Sequence, residues 1–303
     1  MTQACRRLIL VAILMSLASG SARASDPVLF PVVVRDGKGQ SITGLAPSAF
    51  SVRDAGGALV PATVVADGPA SVVILVDASM SMEARTLTQA RTALRTIVKG
   101  LEPGSEYAVL AIVAGAVSPG WGGPDGVDRT LDEIEARRAR AAAGPTPLFD
   151  AMLQGLRLVD TGRFARRVVL LVTDGADTAS TTPSTEIERA FRGSSALLTA
   201  IVPRLRRTGG VPSDLSEYIP AEVTGGRALS VSSDRDWETA ANEILADIRH
   251  YYVVGVTPPP GASGASGKSA ARWREVKVRV DVPVALRNGS VRIRHRKGYF
   301  GNQ

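Results

Sequence analysis

From residue 68 to about residue 256, continuous apolar runs of strand length alternate with stretches in which apolar residues recur every three or four positions. The run SVVILVDAS (71–79) has no polar face, as a strand covered on both sides requires, and RRVVLLVTDG (166–175) and SALLTAIVP (195–203) repeat the pattern. Between and after them fall Leu87, Ala90, Leu94, Ile97 and Leu101, then Leu148, Met152, Leu156 and Val159, then Ile187, Ala190 and Phe191, then Trp237, Ala241, Ile244 and Ile248. Each set lies on one face of a helix. This order predicts an α/β fold with a doubly wound, Rossmann-like, mostly parallel sheet. A strand over 107–117, a charged helix near 129–142, a short segment at 213–223 and a strand over 227–232 complete it. The first helix is expected to end near Gly104.

The two ends of the chain read differently. Residues 28–65 alternate Val-rich runs with turn chemistry at Asp36-Gly37, Lys38-Gly39 and 54–57, which predicts three or four short strands and no helix. A second tract, REVKVRVDV (274–282) and SVRIRHR (290–296), flanks Asn288-Gly289. Neither tract can bury a core alone, so 25–67 and 251–303 are expected to pair into a small antiparallel β module beside a central domain over 68–250. The Pro/Gly/Ser-rich stretch 257–270 reads as a surface loop, and YYVVGV (251–256) fits either the central sheet or the module.

Residues 1–24 have the pattern of a cleavable signal peptide: Arg6 and Arg7, an apolar run from Leu8 to Leu17, then Ala22-Arg23-Ala24. Cleavage near Ala24 predicts a secreted or periplasmic protein with no stable membrane span. It also removes Cys5, the only cysteine, so neither a disulfide within the chain nor a thiolate metal site is available. The formal net charge falls from +7 to +4 with the loss of Arg6, Arg7 and Arg23. The remaining basic residues are spread along the chain, and no nucleic-acid partner is expected.

In open α/β sheets ligands bind beyond the carboxyl ends of the strands. There the chain places Asp77, Ser79 and Ser81 in DASMS, Thr146 in GPTPLFDAM, and Asp174 in TDG. The set is oxygen-only, which suits a hard cation that keeps some of its water: Mg2+, with Mn2+ or Ca2+ also accepted. In Asp-x-Ser-x-Ser alternate residues of an extended turn point the same way, so three oxygens can converge. A coordination position left open would accept an Asp or Glu carboxylate from a protein partner.

These three motifs, in this order, resemble the metal-ion-dependent adhesion site of von Willebrand factor type A domains, over about residues 68–250. The flanks, VRDGKGQSITGLAPSAFSVRDAGG before it and HYYVVGVTP, WREVKVRV and RIRHRKGYF after it, resemble a bacterial group of secreted proteins that carry this domain. The resemblance implies that Ser79, Ser81 and Thr146 ligate the metal directly or nearly so, with Asp77 and Asp174 holding it directly or through water. It implies metal-dependent protein–protein binding or adhesion and no catalysis.

Each residue also has an ordinary structural reading. Ser79 or Ser81 could cap the following helix, Thr146-Pro147 could be an N-cap followed by proline, and Asp174-Gly175 could be a plain turn. Two other functions compete: an envelope scaffold that docks through its β module, with the metal only locking loops, and a metal-assisted hydrolase. No G-x-S-x-G elbow follows a strand, and neither G-x-G-x-x-G nor G-x-x-x-x-G-K-[ST] is present. His250 and His295 are both expected at the surface, and Thr224-Gly225-Gly226 is expected to be a turn.

Overall fold

The computed structural model describes residues 27–59, 61–112, 116–117, 126–140, 145–204, 219–258 and 272–301. The expected signal peptide, the loop around Trp121 and most of 257–270 lie outside these residues, as does part of the 213–223 segment.

The elements in chain order are β1 (Val28–Arg35), β2 (Phe50–Asp54), β3 (Gly57–Leu59), β4 (Pro61–Val65), β5 (Ser71–Asp77), α1 (Ala84–Gly100), β6 (Glu106–Ile112), β7 (Ala116–Val117), α2 (Gly126–Arg140), α3 (Leu148–Asp160), β8 (Arg167–Val172), α4 (Ser184–Gly193), β9 (Leu197–Pro203), β10 (Arg227–Val231), α5 (Asp234–His250), β11 (Tyr252–Val256), β12 (Trp273–Val280), β13 (Arg292–His295) and β14 (Gly298–Phe300). The central sheet has the order β10-β9-β8-β5-β6-β7, with the first five strands parallel and β7 antiparallel to β6. Every residue of β5 is buried, because alternate side chains enter two cores. Val72, Ile74 and Val76 meet Leu94 and Ile97 of α1 and Ile244 of α5, whereas Val73 and Leu75 meet Met152 and Val159 of α3 and Phe191 of α4.

Two boundaries differ from expectation. Helix α1 stops at Gly100 rather than near Gly104, since Leu101 turns to extended backbone and its N–H bonds back to Val98. A methyl on Gly100 would stand 2.3 Å from Leu245 Cδ2, so the glycine lets α5 approach α1 closely. The expected strand 107–117 is two strands, with Ala116–Val117 folding back on Ala111 and Ile112.

The chain ends build two antiparallel sheets, β13-β1-β11-β4 and β14-β12-β2-β3. They share one core, in which Phe30, Val32, Val34, Tyr252 and Val254 face Phe50, Val52, Val276, Val278 and Tyr299. The open question of Tyr252–Val256 is thereby answered: as β11 it lies between β1 and β4 in the β module. Its opposite face, with Tyr251, Val253 and Val33, enters the core of the central domain, which is why the run is apolar throughout. A short 3-10 turn at Pro47–Ala49 stands where no helix was expected.

The junction is ionic as well as apolar. Asp247 of α5, 1% exposed, receives Arg35 Nη2 at 2.6 Å and Arg294 Nη2 at 2.6 Å from the β module, with Arg227 Nε 2.9 Å away. The buried Arg296 donates to the carbonyls of Leu29 (3.0 Å) and Arg192 (2.7 Å). His295 contradicts its expected surface placement. It is half-buried, with Nδ1 2.7 Å from the Arg296 carbonyl and Nε2 accepting from Val278 N–H at 3.4 Å. His250 stays partly exposed beside Asp67. The turn at 224–226 forms as expected, with Gly225 at φ 87°.

Candidate metal centre

Parallel pairing of β5 with β8 sets Val76 beside Val172, so the residues that follow, Asp77 and Thr173, emerge side by side at the carboxyl edge. Thr173 Oγ1 donates to Asp77 Oδ2 at 2.7 Å, and Asp77 Oδ1 accepts from Ser79 N–H at 2.9 Å. That second bond bends the chain out of the strand. The bend brings Ser79 Oγ and Ser81 Oγ within 2.9 Å of each other, so the two hydroxyls converge as the alternating spacing predicted.

Thr146, almost fully buried, is held from a different loop. Its N–H donates to Thr178 Oγ1 at 2.8 Å, and Thr178 N–H donates to the Thr146 carbonyl at 3.0 Å. The segment carrying Asp174 is therefore stapled to the segment carrying Thr146. Asp150, in the first turn of α3, adds two more staples by accepting the N–H groups of Thr181 (3.0 Å) and Thr182 (2.9 Å). Within the loop, Asp174 Oδ1 accepts from Ala176 N–H at 3.0 Å and Gly175 takes φ 84°.

The helix-capping alternative does not describe these residues. Glu83 occupies the cap of α1 and Pro147 that of α3, neither with a side-chain cap bond, so Ser79, Ser81 and Thr146 have no capping role. The plain-turn reading of Asp174 does hold, and it uses only one of that residue's carboxylate oxygens.

Asp77 is 0% exposed. Burial pushes its pKa up and the charge of Asp174 adds to the rise, against the lowering effect of its bonds to Ser79 and Thr173. Among the described residues no Arg, Lys or His forms an ion pair with either acid, and no group of three or more His, Cys, Asp and Glu side chains comes together. The residues present fit a hard divalent cation: a buried carboxylate without a positive partner, a second acid close enough to repel it, and two convergent hydroxyls. Asp77, Ser79 and Ser81 are joined directly, Asp174 acts on Asp77 through its charge, and Thr146 is tied in through Thr178. Sequence reasoning missed Thr173, Thr178 and Asp150; the Thr173 position beside the quoted Asp174 was the one available signal.

The family model of the von Willebrand factor type A domain matches residues 72–176, a span that opens in β5 and closes two residues after Asp174. About a third of the chain is thus similar to a von Willebrand factor type A domain. Such domains commonly mediate protein–protein interaction or adhesion and typically bind a divalent metal. The chain is 29% identical over 135 residues to inter-alpha-trypsin inhibitor heavy chain H4 of Homo sapiens, covering 41% of this chain and 14% of that one. It is 27% identical over 205 residues to heavy chain H1 of Sus scrofa, covering 60% of this chain and 22% of that one. It thus spans less than a quarter of the length of these curated relatives. Similar solved structures include a von Willebrand factor type A protein from Catenulispora acidiphila (TM-score 0.48, 16% identity, 84% of this chain and 70% of that one). The pilus adhesin SpaC from Lactobacillus rhamnosus GG is another (TM-score 0.45, 12% identity, 68% and 35%). Among the described residues no helix is long and apolar enough to cross a membrane.

Proposed function

We propose that the protein is an exported binding protein whose type A domain holds a divalent cation through Asp77, Ser79, Ser81, Thr146 and Asp174 and engages a partner protein there. The observation that carries this reading is Asp77, a fully buried carboxylate with no positive partner among the described residues. A bound Mg2+, or Mn2+ or Ca2+ in its place, would offset the two acidic charges and present an open position to an Asp or Glu of the partner. The chain's own work is positional. Thr173 and Ser79 N–H fix the Asp77 carboxylate, Thr178 fixes Thr146, and Asp150 fixes the loop beyond Asp174. The reading is of binding rather than catalysis, because Ser79 and Ser81 bond each other and, among the described residues, no histidine or lysine bonds either hydroxyl to accept a proton.

The scaffold alternative drew on mobile connections between two modules, whereas Asp247 and Arg296 tie the β module to the central domain. The test is capture from a cell-envelope extract by the chain from Ser25 onward. The expected result is proteins retained in Mg2+, released by chelator and not retained by Asp174→Ala. Retention that survives both chelation and Asp77→Ala would overturn the proposal.

A further inference from the structure

The outer face of the sheet β14-β12-β2-β3 carries charge that the fold itself leaves uncompensated. With Val52, Val276 and Val278 turned into the core, strand alternation turns Arg53 on β2 and Lys277 and Arg279 on β12 outward. The register sets Lys277 directly opposite Arg53, both exposed. Like charges facing each other across a strand pair destabilise a sheet, so this pair is a cost that packing does not explain. Among the described residues neither cation has an acidic partner, and neither does Lys297. Of the two acids among the described lining residues, Asp54 is occupied by Arg274 (2.8 Å) and Tyr299 (2.8 Å), which leaves Glu275 against Arg53, Lys277 and Lys297.

These cations line a cleft of about 830 Å³ where the β module meets the central domain. Arg53, Lys277 and Trp273 of the β module line it together with Arg192 and Val223 of the central domain and with Lys297. The cleft is preformed. Lys297 N–H donates to the Val223 carbonyl at 3.0 Å, and the Trp273 ring is held 5.2 Å from the Arg192 guanidinium and 5.2 Å from the Phe300 ring. A methyl on Gly298 would stand 2.6 Å from that indole, so the ring is seated against bare backbone.

We propose that this cleft binds an extended acidic segment of a partner polypeptide. The cations come from β2, β12 and the chain between β13 and β14 and line a cleft of about 830 Å³, far larger than a single small anion fills. Lys277 and Arg279 are two residues apart on one strand, about 7 Å, which is also the repeat of alternate side chains in an extended peptide. Lys277 lies in the cleft and Arg279 continues the exposed charge along β12 beyond it, so acids at alternate positions of a segment that enters the cleft and runs along β12 meet both, and the preformed cleft lowers the ordering cost of binding. The site lies on other elements than the proposed metal centre and needs no metal.

The experiment is fluorescence anisotropy of a labelled alternating Asp-Thr peptide with the full chain, in chelator and at low salt. The expected result is saturable binding that weakens with added salt. It should also weaken about tenfold or more in Lys277→Glu and in Lys297→Glu, and be unchanged in Lys38→Glu, which makes the same charge change at an exposed site elsewhere. Near-UV circular dichroism of each variant separates lost binding from lost fold, and the two variants sit on different chain segments. Absence of binding, or equal weakening by Lys38→Glu, overturns the proposal. Tighter binding of a sulfated oligosaccharide than of the peptide overturns the assignment to a polypeptide.

Discussion

Replacing Asp77 by Asn should separate the cost of burying that carboxylate from its use in holding a cation. The side chain is 0% exposed, accepts from Ser79 N–H at 2.9 Å and from Thr173 Oγ1 at 2.7 Å, and feels the charge of Asp174. Asparagine has nearly the same volume; its carbonyl oxygen can keep the Ser79 bond and its amide can donate to Thr173 Oγ1. The exchange trades two charge-assisted bonds for neutral ones, a loss of about 1 kcal/mol each, and in return removes the burial and repulsion that raise the Asp77 pKa. In chelator the variant should therefore lie within about 1 kcal/mol of wild type. With free metal at about 100 times Kd, wild type gains about 2.7 kcal/mol, a rise in Tm of about 5–10 °C for a domain of this size. The variant, lacking one of the two acids proposed to hold the cation, should gain little. Thermal unfolding followed by circular dichroism, in chelator and across a Mg2+ or Mn2+ series, measures both effects. Equal upward shifts in the two proteins would place the cation elsewhere. A chelated variant destabilised by more than about 3 kcal/mol would make Asp77 a structural residue.

Asp247→Ala leaves Arg35, Arg227 and Arg294 clustered around an empty place at the module junction, and should cost about 3–5 kcal/mol in urea unfolding; less than about 1 kcal/mol would mean the arginines find other partners. His295 gives the junction a pH dependence. Burial, with Lys297 adding to it, holds the imidazole pKa below its ordinary value, so the unfolded chain takes up the proton first. Stability is full above the ordinary histidine range, falls as pH drops towards the depressed value, and is flat below it. The urea midpoint should decrease between about pH 7.5 and about pH 5.5 in wild type and decrease less in His295→Gln.

The strands of the central sheet could be read directly because burial on both faces removes the alternation of polar residues that would otherwise confuse length and direction. The same property hid which sheet Tyr252–Val256 belongs to. A strand sandwiched between the β module and the central domain is as apolar as one inside a parallel sheet, so hydrophobicity cannot say which sheet it joins. The reversal after Ile112 was hidden for a related reason: alanine and valine suit both limbs of the fold-back. Asp247 left no mark either. Its partner Arg35 is 212 positions away, and a lone acid in an amphipathic helix looks like solvated surface until the β module is laid against it.

At the candidate site, Asp77, Ser79, Ser81 and Asp174 were legible because they follow strand ends, where the fold class itself says which side chains share an edge, and Thr146 because it stands where a loop enters a helix; Thr173, at a strand end too, was passed over for its acidic neighbour. Thr178 joins two loops and Asp150 ties the first turn of α3 to a loop, in segments where hydroxyl and acidic residues are common and no periodicity singles one out. For Asp174 a turn role and the proposed ligand role are compatible. A carboxylate has about four lone-pair sites, and the bond from Ala176 N–H occupies one. Asp77 likewise spends one site on the Ser79 amide and one on Thr173, fixing its own orientation while keeping acceptor capacity for a cation. The bonds that bend the chain therefore also orient the two carboxylates proposed to hold the cation. Substitutions that preserve those bonds and remove only the charge should abolish the response to metal while leaving the loops, and the fold, in place.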